Sequence, residues 1–138
     1  MKVILKVTVL LMLAMASANC LAEMLIADVS KEEAKQMGVT IGSRKNGEAS
    51  VEVRLEFKTT GKFEKFKRVE LEIGKGQNQI MSAPLLPTYP NPGSISVRFS
   101  VNPAYIADST LMIVVDAALG GEGYRLKVKD FLDPEKLQ

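Results

Sequence analysis

The feature that most restricts this chain is a period-two alternation of apolar and charged residues. In Val51-Glu52-Val53-Arg54-Leu55-Glu56-Phe57-Lys58 every odd position is apolar and every even position is charged. Successive side chains of a strand point to opposite faces, so this run describes a half-buried strand with one face in water. Val69-Glu70-Leu71-Glu72-Ile73 repeats the pattern, as do the segments Ile95–Val101 and Tyr124–Lys129. Weaker strands are expected at Val39–Ser43 and Gln77–Ala83. Leu111-Met112-Ile113-Val114-Val115 is apolar throughout. It predicts a central strand, or one whose outer side is covered.

Turn chemistry separates these runs. Thr59-Thr60-Gly61-Lys62 and Gly74-Lys75-Gly76 interrupt two of them, and Gly120-Gly121-Glu122-Gly123 predicts a hairpin joining 110–118 to 123–131. Phe131 falls out of register with Tyr124, Leu126 and Val128, which a bulge near Asp130 or the strand's end would explain. Ahead of the strands, residues 27–38 read as a short helix. Ser30 can cap it, Glu33 completes a capping box, and Gly38 can supply the left-handed stop. Ala34 and Met37 give it only a thin apolar stripe, as befits a lid or brace. The predicted fold is all-β: a two-sheet antiparallel sandwich of immunoglobulin-like architecture, with about seven strands and a short N-terminal helix. Such an architecture alone transfers no function.

The N-terminal residues read as an export leader. Lys2 and Lys6 precede an apolar run from Val7 to Ala16, and the small residues Ala16, Ser17 and Ala18 follow. The run is shorter than the roughly 20 residues that span a bilayer core. Cleavage is expected after Ala18 or Ala22, and Ala22 is preferred because it leaves a polar start at Glu23. The expected division is therefore a signal peptide (1–22), a short helical segment (23–38), a β-sandwich (39–132) and a tail (133–138). Cys20 is the one cysteine of the chain. Lipid attachment there fits poorly: Ser17 and Asn19 stand where lipoprotein signals carry Leu and a small residue. Leu21–Ile26 also follows at once, with no polar tether. Cys20 is expected to leave with the leader.

A small exported domain without cysteine points to a bacterial envelope, and the expected location is periplasmic or extracellular. The full chain holds 18 Lys and Arg against 16 Asp and Glu, and Lys2 and Lys6 lie in the leader. The remainder is balanced, so no overall field draws it to nucleic acid, and no nucleic-acid partner is expected.

Catalytic chemistry finds few candidates. The chain has no histidine, which removes the commonest general base and metal ligand at neutral pH. Without Cys20 there is no thiol nucleophile either. Met24, Met37, Met81 and Met112 are scattered singly, as core fillers are. Glu32 and Glu33 suit a first helical turn. Glu52/Glu56 and Glu70/Glu72 fall on the polar side of their strands, where solvated charge is the ordinary state. No enzyme activity, cofactor or metal is expected. The chain also lacks Trp, the favoured platform for sugar stacking.

Two stretches stand out. Pro84-Leu85-Leu86-Pro87-Thr88-Tyr89-Pro90-Asn91-Pro92-Gly93 holds four of the six prolines and reads as an extended crossing between sheets. Leu85, Leu86 and Tyr89 are the candidate partner-binding residues there, as an apolar patch on a polar surface. Lys58–Arg68 interleaves Phe63 and Phe66 with basic residues. It reads as a solvated loop with both phenylalanines buried beneath it. The function expected is an exported, non-catalytic binding or accessory module that contacts another envelope or extracellular protein. The alternative is a membrane-surface protein held by a lipid on Cys20 or by the basic loop.

Overall fold

In the computed structural model, which describes residues 24–75, 78–117, 120–133 and 135, the alternating runs form two sheets. The larger comprises β1 (Leu25–Asp28), β4 (Phe66–Lys75), β5 (Asn78–Leu85), β7 (Ser109–Val115) and β8 (Glu122–Lys127), in the order β1-β8-β7-β4-β5. The smaller comprises β2 (Thr40–Lys45), β3 (Val51–Lys58) and β6 (Ser94–Val101), in the order β2-β3-β6. All pairs are antiparallel except β1 with β8, which run parallel. The leader, Cys20 and both expected cut sites lie outside the described residues, as do Gly76, Gln77 and most of the tail.

The sequence alternation becomes an alternation of burial. Val51, Val53, Leu55 and Phe57 of β3 face Val69, Leu71 and Ile73 of β4 across a single apolar core. Leu111, Ile113 and Val115 of β7 join that core from the centre of the larger sheet. Met112 and Val114 point the other way, yet are only 6% and 2% exposed. The register sets Met112 between Glu70 and Arg125, and Val114 between Arg68 and Gly123. Long side chains and a missing one together explain the cover. A Cβ on Gly123 would stand 3.0 Å from Met112 Sδ and 3.5 Å from Ile26 Cγ1, so the bare glycine leaves the room Met112 occupies. A strand apolar on both faces is thus central, with its outer face sheltered locally.

Three boundaries differ from the sequence reading. Ala27 and Asp28, assigned there to the helix, belong to β1, and the helix α1 is Lys31–Gln36. The capping box that starts α1 consists of Ser30 Oγ accepting from Glu33 N and Glu33 Oε2 accepting from Ser30 N. Those bonds hold the Glu33 carboxyl below its usual range. They also need Ser30 extended, so the helix cannot begin earlier. Gly38 follows α1 at a φ of 73°. At the other end β8 stops at Lys127 and a 3-10 turn takes Val128–Asp130, which accounts for Phe131 leaving the strand register. The third difference is β5, which continues through Pro84 to Leu85. An edge strand tolerates proline because one side of it donates to no neighbour.

The β3–β4 loop closes one end of the core. Phe57 packs against Phe63 and Phe66 with ring centroids 5.1 and 5.3 Å apart, and Phe63 meets Tyr124 edge-on at 5.5 Å. Such offset aromatic contacts add to simple area burial.

Candidate interaction surface

β5 and the segment after it are shaped by a bulge and a strap. The β4–β5 register shifts at Ile73/Gly74. A Cβ on Gly74 would lie 2.6 Å from the Asn78 carbonyl oxygen and 2.8 Å from Gln79 Cα, closer than backbone can accept. Glycine is therefore required where β5 turns in against β4. Beyond Leu85 the chain crosses to the smaller sheet as a strap, residues 86–93. Thr88 exchanges backbone hydrogen bonds of 2.8 and 2.9 Å with Ser96 of β6, and its hydroxyl donates to the Ser96 carbonyl at 3.0 Å. The far end is held by Thr59, whose N–H and hydroxyl both donate to the Gly93 carbonyl, at 2.8 and 3.1 Å.

This fastening sorts the expected contact residues. Leu85 pairs with Val69 and packs against the core. Leu86 is 89% exposed and Tyr89 66%. Two further apolar side chains escaped the sequence reading: Ile80, 68% exposed, and Met81, 40% exposed, both on β5. Met81 lies on the side of its strand that pairs with Ile73, a core residue. It stays open because β5 is the outermost strand of the wider sheet. One sequence signal could have found this flank. From Gly76 to Val97 no residue is charged, in a chain that is 25% charged.

Elsewhere the polar groups answer one another. On the wet faces Glu70 meets Arg68 at 2.6 Å, Glu56 meets Arg54 at 3.6 Å and Glu52 meets Arg44 at 3.8 Å. A groove of about 630 Å³ on the outer face of the larger sheet mixes Asp28, Glu72 and Asp108 with Lys75, Arg125 and Lys127. Arg125 Nε donates to Asp28 Oδ1 at 2.6 Å within it. That bond holds the Asp28 carboxyl below its usual range and raises the Arg125 guanidinium. Among the described residues, no group of three or more His, Cys, Asp or Glu could hold a metal ion. No described helix is long and apolar enough to cross a membrane.

The basic loop turns its aromatics inward. Phe63 is buried and Phe66 is half-buried against the core. Lys62 Nζ lies 5.8 Å from the centre of the Tyr124 ring, and Lys67 pairs with Asp116 at 3.2 Å. The Tyr124 hydroxyl donates to Glu122 at 2.7 Å; burial, and then this carboxylate, push it up to about 12. The loop thus presents lysines outward without an aromatic wedge. A second cleft of about 500 Å³ opens between the end of α1 and the strap. Met37, Phe57, Pro90 and Ile95 supply its apolar wall, and Thr40 and Asn91 lie at its polar positions.

No protein-family model and no curated protein matches this chain, so no family's chemistry transfers to it.

Proposed function

We propose that this chain is an exported, non-catalytic sandwich of immunoglobulin-like order. In this reading it acts by contact, as a binding or accessory module for another envelope or extracellular protein. The strand order supports the architecture. β8-β7-β4-β5 follows the G, F, C and C′ order of variable-type immunoglobulin sheets, and β2-β3-β6 follows A, B and E. The observation that carries the function is the strap: Leu86 and Tyr89 stand in solvent on a segment pinned at Thr88 and Gly93. Side chains held outward by a fixed backbone lose little entropy on binding, and tyrosine is enriched among residues that dominate interfaces. The cleft bordered by Pro90 and Asn91 adjoins them along the chain and offers a partner an apolar recess.

The test is recovery of a partner by the exported protein in cross-linked envelope preparations. Tyr89→Ala is expected to cost about 2 kcal/mol, roughly thirtyfold in affinity, and Leu86→Asp to abolish recovery. Both variants should keep the far-UV circular dichroism of the native chain. Failure to recover any protein with the native chain under several conditions would count against the reading. Intact mass addresses Cys20 separately: a mature mass equal to residues 23–138 excludes a lipid there, and a heavier acylated product would favour the membrane-surface alternative.

A further inference from the structure

The two outer faces of the sandwich balance their charges differently. On the larger sheet the registers set Arg68, Arg125 and Lys127 among Glu70, Glu72 and Asp28, in equal number. On the smaller sheet the outward positions carry Arg44, Arg54, Lys58 and Arg98 against Glu52 and Glu56. Gly42, Arg54 and Arg98 form one row across that sheet, between a row holding Glu52 and a row holding Glu56. Arg54 and Arg98 are direct cross-strand partners, and like charges so placed destabilise the strand pair. The carboxylates diagonal to Arg98 are engaged elsewhere, Glu52 by Arg44 at 3.8 Å and Glu56 by Arg54 at 3.6 Å. Among the described residues the exposed Arg98 side chain has no hydrogen bond or ion pair. Such a break with local electrostatics, left uncompensated, is expected at a binding site. The row is also open on one side, since a Cβ at Gly42 would meet nothing within 4 Å.

We propose that the Arg54–Arg98 row receives a carboxylate from an acidic segment of the protein that contacts the strap. This inference rests on the reading above and names the chemistry of its partner. Thr88 bridges Ser96 antiparallel, so Leu86, two residues before Thr88, lies toward the same end as Arg98, two residues after Ser96. At about 3.3 Å per residue, each stands about 7 Å along the chain from the bridge. An exposed apolar side chain and a pair of guanidinium groups are thus offered side by side. Guanidinium groups bind carboxylates through paired hydrogen bonds, and a negative charge between the two arginines removes their mutual opposition. The occupant is a single carboxylate rather than a polyanion. Rows on this face lie about 7 Å apart, so a nucleic-acid strand or an anionic membrane spanning them would meet Glu52 and Glu56 on either side.

A photo-activatable residue in place of Ser100, exposed on the same face two residues beyond Arg98, tests this in intact envelopes. Position 100 should label a protein. Arg98→Glu should cut the yield about tenfold or more, and Lys127→Glu, on the balanced face, should leave it unchanged. Exchanging the partner's acid nearest the attachment point for lysine should restore labelling of the Arg98→Glu chain. Because it ends the opposition to Arg54, Arg98→Glu should also raise the midpoint of thermal unfolding. A lowered midpoint, failure of the charge exchange, or a lipid or glycan adduct at position 100 overturns the inference. So does a yield indifferent to Arg98→Glu; if position 86 then still labels its partner, the strap reading stands. Labelling of no protein from either position overturns both.

Discussion

β1 and β5 finish the same sheet at opposite sides, and the chain treats them differently. β1 is short, parallel to its neighbour, and tied to β8 by the Arg125–Asp28 pair. β5 is twice as long, antiparallel, and free of charge. Both expose apolar side chains, Leu25 and Ile26 on one and Ile80 and Met81 on the other. Exposure alone therefore does not mark a contact surface. What separates the two edges is length and the presence of a charge that would oppose a newcomer.

The glycines beneath the two edges give the largest contrast. A methyl on Gly74 collides with the backbone of Asn78 and Gln79, which can yield only if β5 moves off β4. Gly74→Ala should cost about 2 kcal/mol in urea denaturation. A methyl on Gly123 meets the flexible Met112 side chain at 3.0 Å, which can rotate away. Gly123→Ala should cost no more than about 1 kcal/mol. Equal losses would mean that the two edges are seated alike.

Asp28→Asn gives a smaller effect at β1. The pair is largely exposed, so its removal should cost under about 1 kcal/mol, and native-state hydrogen exchange should quicken at 25–28 and not at 78–83. The pH dependence has a definite sign. The Asp28 carboxyl is held below 3.8, so its contribution is whole above that pH and fades as acid drives the pH through the lowered value. The Asn variant should lose this acid sensitivity of β1, while the protection of β5 amides relative to their intrinsic exchange rate stays flat across the same range.

The parts of this fold legible in the sequence are those set by local pattern. β3, β4 and β6 each declare an inward face by alternation, and the unbroken apolar run of β7 announced its central place. β1 was not legible: Leu25–Asp28 is too short to show a period, and its parallel pairing with β8 is a contact across most of the chain. The proposed contact surface was half legible. Proline density drew attention to 84–93, but which of Leu85 and Leu86 turns inward depends on β5 keeping register past Pro84. That register is fixed by the bulge at Gly74, a distance constraint with no periodic signature. Met81 was missed because its exposure follows from the smaller sheet having fewer strands, and Ile80 because it is the extra residue where the β4–β5 register shifts, neither of which has a periodic signature.

Site-specific photo-crosslinking tests the central claim, contact through the strap, most directly. A photo-activatable residue replaces Leu86 in one variant and Glu52, on the wet face of β3, in another, and both are irradiated in intact envelopes. The account predicts an adduct to a protein other than this chain from position 86 and none from position 52. Equal labelling from the two positions, or no such adduct from position 86, would contradict it.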